Sequence, residues 1–303
     1  STVFAAGGNV TAFADFQRHG ASLTPTQQLV ITGGGNAYSS TGGNFTLIGA
    51  FGSNTSLITN IMIAQGFAVF SDGVNIPKKW DQGTLTDLDG GSGNAPRFTA
   101  ASYHLRRLFS VGTAASPSRV DVSAGGDITT WTGGDTVQLM LDEDDGDIGV
   151  GISRTFHKRV YVFKGPTKGS IHELSGNTLA SLTRDVVFNG LPLLNHKAII
   201  TTDNDIFWLS RFGVHSLRTT IEYGDLQSAF LSLPINRMFT GGELSLNQIS
   251  QAWGFWHPLY NVIGWFVTPS GAISNTYALV YHYLISDPTP NGKKFWSIWK
   301  FGG

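Results

Sequence analysis

The sequence predicts an all-β fold, a β-propeller of about five to seven blades with a minor helix near 222–239. Three observations lead there. Short runs rich in Val, Ile, Phe, Tyr and Trp dominate the chain, and each is closed by a Gly, Asp, Asn or Pro turn signal. The run cores recur every ~40–65 residues, close to the length of a four-stranded propeller blade with an occasional inserted loop. Radial packing of small sheets also leaves only short, protected edges, where a flat array of hairpins would expose long ones. A two-sheet sandwich is the rival architecture.

In chain order, the cores fall near Val3, Phe67, Leu108, Val160, Phe207 and Trp265. They define blade-like units near 1–35, 40–90, 97–135, 147–180, 187–220 and 250–303 of one domain spanning 1–303. Phe67-Ala-Val-Phe70 runs into Asp72-Gly73, Arg159-Val-Tyr-Val-Phe163 into Gly165-Pro166, and Ile263-Gly-Trp-Phe-Val267 into Ser270-Gly271. The clearest copy spans 195–217: strand Lys197–Thr201, turn Asp203-Asn204, strand Ile206–Leu209, a second turn, then Val214–Leu217. Between 222 and 239, Leu226, Phe230, Leu233 and Met238 have loosely helical spacing, and Pro234 limits the stretch to two short turns.

Composition narrows the function classes. Apolar residues are 41% of the 303, enough for a real core, but charged residues are only 14% against about a quarter in an ordinary soluble domain. Low charge leaves neutral surface that an assembly can bury cheaply, because desolvating charge is costly. The net charge of −1 gives no bias toward nucleic acid or membranes, and the absence of cysteine excludes disulfides and thiolate metal sites. Ser1-Thr2-Val3-Phe4 lacks the basic start and apolar core of a signal peptide, and no apolar run approaches the ~20 residues that span a bilayer. No membrane insertion by this chain is expected.

No catalytic, cofactor or metal site is expected. The acidic run Asp142-Glu-Asp-Asp-Gly-Asp147 offers Asp142, Asp144 and Asp147 as weak metal candidates. The bidentate Glu that completes a calcium loop is missing, so a solvated turn at Asp145-Gly146 is the simpler reading. Ser123-Ala-Gly-Gly-Asp-Ile-Thr-Thr-Trp131 is similar to the Asp-box of sialidase-like propellers, with Asp and Gly at shifted offsets, and such a box is structural. The eight histidines show no ligand spacing, Gly90-Gly-Ser-Gly-Asn94 misses a nucleophile elbow, Gly165–Ser170 has its phosphate-loop residues in the wrong order, and Gly33-Gly-Gly35 is an isolated turn. Trp253, Phe255, Trp256, Trp265, Trp296 and Trp299 crowd the C-terminal part, where core or subunit interface is the commoner role and sugar stacking the rarer.

The order of several segments resembles a known family. Phe67-Ala-Val-Phe-Ser-Asp-Gly-Val-Asn-Ile-Pro-Lys-Lys-Trp-Asp81 comes first, then Arg107-Leu-Phe-Ser-Val-Gly with Thr129-Thr-Trp131. Asp145-Gly-Asp-Ile-Gly-Val150, Val160-Tyr-Val-Phe-Lys164 and Ser170-Ile-His-Glu-Leu174 follow, then Asn204–Leu217 and Trp296-Ser-Ile-Trp299. Over roughly 60–220 and 277–303 this resembles the tail nozzle or hub propellers of short-tailed bacteriophages. The chain is short for that family. The resemblance implies a structural virion protein made in the host cytoplasm: a homo-oligomer, a hexameric ring below portal and adaptor, touching adaptor and fibre proteins. DNA would pass through it without sequence-specific binding. In such a channel, acidic residues 142–147 are expected at the lumen or one end, because fixed cations would retard phosphate. Arg106-Arg107, Lys78-Lys79 and Lys293-Lys294 are then expected at subunit contacts or the outer rim. A carbohydrate-binding or sialidase-like propeller is the alternative reading.

Overall fold

The computed structural model describes residues 10–17, 26–52, 59–223, 230–286 and 292–301. Among them the strands form six antiparallel meander sheets in chain order. Sheet 1 holds β1 (Val10–Phe16), β2 (Gln27–Thr32), β3 (Asn36–Ser40) and β4 (Thr46–Ala50). Sheet 2 holds β5 (Asn60–Ala64), β6 (Phe67–Ser71), β7 (Lys78–Trp80) and β8 (Thr86–Asp87). Sheet 3 holds β9 (Ala100–His104), β10 (Arg107–Val111), β11 (Arg119–Val122) and β12 (Val137–Met140). Sheet 4 holds β13 (Ile148–Ile152), β14 (Val160–Gly165), β15 (Ser170–Ser175) and β16 (Thr183–Asn189). Sheet 5 has three strands, β17 (Ile199–Thr201), β18 (Ile206–Ser210) and β19 (Gly213–Ser216). Sheet 6 holds β20 (Trp253–His257), β21 (Val262–Val267), β22 (Tyr277–His282) and β23 (Trp296–Lys300).

The chain falls into two compact units, Ser1–Asp142 with Gly176–Leu182, and Glu143–Ser175 with Thr183–Gly303. In the first, alternation along the inner strands packs one sheet on the next. On β6, Ala68 and Phe70 join Phe16, Leu29 and Ile31 of sheet 1, while Val69 turns to Phe98, Leu108 and Ile128 on the side of sheet 3. A strand covered on both faces needs apolar residues at every position, so it reads as a continuous apolar run. In the second unit one core takes in sheets 4 to 6: Trp208 lies 5.3 Å from Phe163, and Phe207 lies 6.3 Å from Tyr281.

The expected units need new boundaries. Residues 36–50 complete sheet 1, since β3 pairs with β2 through Gln28↔Ser40, so the second sheet starts at Asn60 and not at 40. The third extends past 135 to Met140, the fourth past 180 to Asn189, and the fifth begins at Ile199 and not at 187. The missed segments are outer fourth strands with mixed or exposed side chains, as in Thr183-Arg-Asp-Val-Val-Phe-Asn189, so they lack the apolar density that marks inner strands. Lys197 and Ala198 lie in a 3-10 turn before β17, whose first turn is capped by Asn195 Oδ1 accepting from the Lys197 amide. The core near Val3 and Leu226 lie outside the described residues.

Helix is sparse. Helix α1 (Leu217–Tyr223) follows β19, and α2 (Asn236–Thr240) follows a 3-10 turn at Leu233–Ile235 where Pro234 sits. Sheet 5 gains a short substitute for a fourth strand: Phe230 bridges His215, the Leu231 amide donates to the Val214 carbonyl, and Ser232 Oγ accepts from the Val214 amide.

Candidate functional site

Two carboxylates of the acidic run, Asp145 and Asp147, hold the fold. Lys164, on β14, is fully buried, and its ammonium donates to both oxygens of Asp145 at 2.7 Å. Burial alone would raise the Asp145 carboxyl. The Lys164 bond, the Asp147 amide and the charges of Lys164 and His172 outweigh it and hold the group below the ordinary carboxylate value. Asp147 is buried and accepts from the amides of Thr167, Lys168 and Gly169, so it clamps the β14–β15 hairpin. Gly169 has φ +76°, and a Cβ there would stand 2.2 Å from the Pro192 nitrogen, which is why this clamped turn takes glycine. Asp142 and Asp144 are exposed, and among the described residues no group of three acidic or imidazole side chains could hold a metal.

Two Ser–His pairs have the residue types of hydrolase chemistry but not the access. Ser210 Oγ lies 2.8 Å from His215 Nε2, and Ser170 Oγ lies 2.9 Å from His172 Nε2. Both histidines are fully buried. Burial lowers the His215 pKa to about 3, so the imidazole is neutral, stacked on Trp208 at 5.3 Å. Asp205 ties sheet 5 to α1: it accepts from the amides of Ile206 and Arg218 and from Ser216 Oγ. Burial, against these bonds, pushes its pKa up to about 6.

Most C-terminal tryptophans are also structural. Trp265 donates to the Ala198 carbonyl, Trp296 to the Leu231 carbonyl and Trp256 to the Tyr283 hydroxyl. The Trp253 ring sits 4.9 Å from Lys197 Nζ, and burial lowers that amine to about 8. Trp299 is 43% exposed beside Phe255. Of the basic pairs, Lys78 donates to Asp87 at 2.7 Å, Lys79 lies 5.5 Å from the Phe67 ring, and Arg107 donates to Asp135 and to the Ser123 carbonyl.

The first unit carries a pocket of about 540 Å³ that sequence reasoning did not find. It is built from loops 73–74, 93–97 and 113–115, from β11, from Trp131 and from the start of β12. Its polar wall is Asp121, whose side chain is 6% exposed. Arg119 Nε stands 2.9 Å from Asp121 Oδ1, Thr113 Oγ1 donates to Oδ2 at 3.4 Å, and the facing Gln138 side chain bonds the same carboxylate. Burial dominates and raises the Asp121 carboxyl above its ordinary value in spite of these partners. Trp131 lines the same pocket, so the Asp-box-like segment 123–131 ends in its wall. That segment forms a tight loop, with Asp127 accepting from the Thr129 amide and from the Thr129 and Thr130 hydroxyls, and Ile128 and Trp131 buried. Arg97 stands exposed in the pocket lining and, among the described residues, has no partner.

No family model matches the chain, and no curated protein sequence is similar to it. Solved structures are. A quinoprotein alcohol dehydrogenase-like protein from Bacteroides thetaiotaomicron is similar over 95% of this chain and 66% of its own, at 10% identity and a TM-score of 0.51. PorZ, a bacterial surface component of the type-IX secretion system of Porphyromonas gingivalis, is similar over 93% of this chain and 33% of its own, at 10% identity and a TM-score of 0.49. The chain thus spans about two thirds of the first protein and one third of the second. The computationally designed Ika8 protein is similar over 95% of this chain and 87% of its own, at 12% identity and a TM-score of 0.46. The first of these likenesses establishes the fold: the chain is a six-bladed β-propeller, all-β with only short helices, and the six sheets are its blades.

Proposed function

We propose that the chain is a structural subunit of a short-tailed phage tail, a nozzle or hub propeller that assembles into a ring for DNA to cross. The observation that carries this reading is the match between motif order and blade order. The segments that resemble the family fall on successive blades: 67–81 on the second, 107–131 on the third, 145–174 on the fourth, 204–217 on the fifth and 296–299 on the sixth. Their polar residues hold turns and strands together, as Asp147, Lys164 and Asp205 do, which suits a part whose work is geometric. The low charge and the exposed Ile298, Trp299 and Phe301 at and beside β23 suit a subunit that buries surface against neighbours. Head-to-tail contacts between different faces close such a ring.

Negative-stain micrographs and native mass spectrometry of the purified protein test this. The expected result is a closed six-fold ring with an axial channel. A protein that stays monomeric, alone and with a tail adaptor, refutes it. In the assembled ring, Glu143 and Asp144 should lie nearer the axis than the Lys and Arg side chains, and the reverse order refutes the sliding argument.

A further inference from the structure

We propose that the pocket of the first unit binds a monosaccharide unit bearing a carboxylate, a hexuronate, with Arg97 receiving the acid group and the wall of Asp121, Arg119 and Gln138 receiving ring hydroxyls. This goes beyond the ring reading and does not depend on it.

Three features of the pocket select this chemistry. Its volume of about 540 Å³ lies within the range of small-molecule sites. Its wall sets a buried carboxylate, a guanidinium and a primary amide side by side on adjacent strands, since Asp121 pairs directly with Gln138 across β11 and β12. Acceptor and donors so placed suit vicinal hydroxyls, each of which both donates and accepts. Val74, Pro96 and Val137 supply apolar surface for the C–H face of a sugar ring.

The charge balance selects the acid. Arg119 is neutralised by Asp121, whereas Arg97 has no partner among the described residues. The pocket therefore presents one uncompensated guanidinium in its lining, a planar fork that matches a carboxylate. A neutral hexose would leave it unused. A bare anion would leave the polar wall unused.

Saturation-transfer NMR and calorimetry on the full chain provide the test, with glucuronate, galacturonate and mannuronate set against the matching hexoses and acetate. At least one uronate should bind tenfold or more tightly than its hexose, a difference of about 1.4 kcal/mol. Arg97→Ala should erase that preference, and Gln138→Ala should weaken uronate and hexose alike. Arg97 is exposed, so Arg97→Ala should leave the unfolding midpoint in place, whereas Gln138→Ala removes a partner of the buried Asp121 and should lower it; binding is therefore read well below both midpoints. Binding by none of the sugars overturns the proposal. So does acetate competing as well as the uronate, which would mark a plain anion site, and so does a preference that survives Arg97→Ala. None of these outcomes bears on whether the chain forms rings.

Discussion

Replacing Asp145 with alanine takes from the fully buried Lys164 the carboxylate that its ammonium meets with both oxygens. At 2.7 Å and an effective dielectric of about 20, the attraction amounts to roughly 6 kcal/mol before desolvation is charged against it. Taking the ammonium out of water offsets much of that, which is why a buried pair adds little net stability over an apolar one. Removing one partner is a different matter, because most of the desolvation cost remains while the two-oxygen partner is lost, and such changes cost about 3–5 kcal/mol. Asp145 keeps 24% of its side-chain exposure, so water screens part of the pair and the lower end, about 3 kcal/mol, is expected. The assay is denaturant unfolding followed by tryptophan fluorescence, with Trp208 as a nearby reporter through Phe163. The double variant Lys164→Met/Asp145→Ala should be clearly more stable than Asp145→Ala alone, because the buried ammonium then leaves together with Asp145. The folded Asp145 pKa lies below its unfolded value, so its contribution is present above about pH 4 and disappears as the pH falls through the folded value. A loss under about 1 kcal/mol, the range of a surface pair, or a double variant no better than the single, refutes the argument.

Acid should weaken the second unit. His215 is held at about 3 by burial, and His196 at about 4 by burial with the charges of Lys197 and Arg154. Their folded values lie below the unfolded value of about 6.5, so their contribution is full above that pH and is lost as the pH falls toward 4 and then 3. Asp205 opposes them: its folded pKa of about 6 is above the unfolded one, so its penalty is relieved as the pH drops from 6 toward about 4. The two histidines outweigh the single carboxyl, and denaturant midpoints at pH 7 and pH 4 should fall in the wild type and fall less in His215→Phe; equal midpoints in the wild type sink the idea. Calcium should leave the melting temperature where EDTA leaves it, because Asp145 and Asp147 already have internal partners. A calcium-dependent rise would show a site that binds the folded state.

The propeller was legible because its inner strands are covered on both faces. Phe67-Ala-Val-Phe70 and Ile206-Phe-Trp-Leu209 must be apolar throughout, and a run of that kind between turn residues is visible in one sequence. Outer strands were not legible for the complementary reason. β16 spends Thr183, Asp185 and Val186 on solvent, so its pattern is that of a loop until its pairing with β15 is known. The fifth blade hid its outer strand altogether, since the bridge through Phe230 is one residue long and follows a helix.

The sites reverse that relation, because a charged residue's role is fixed by a partner far away in the chain. Asp142–Asp147 stood out as a cluster, yet Asp145 answers to Lys164 and Asp147 to the turn at 167–169, both supplied by the next hairpin. The pocket left only a faint trace: Arg119-Val-Asp-Val122 alternates charge with apolar residues, which places Arg119 and Asp121 on one face of a strand and two valines on the other. That period of two was available in the sequence. The pocket itself also depends on loops 73–74 and 93–97, which the Gly73 amide helps to join by donating to the Phe98 carbonyl. Density of like residues along a chain therefore marks a cluster, while a binding wall is marked by alternation within a strand. Arg97, isolated in the sequence between Pro96 and Phe98, gains its significance only when it lines the same pocket as that wall.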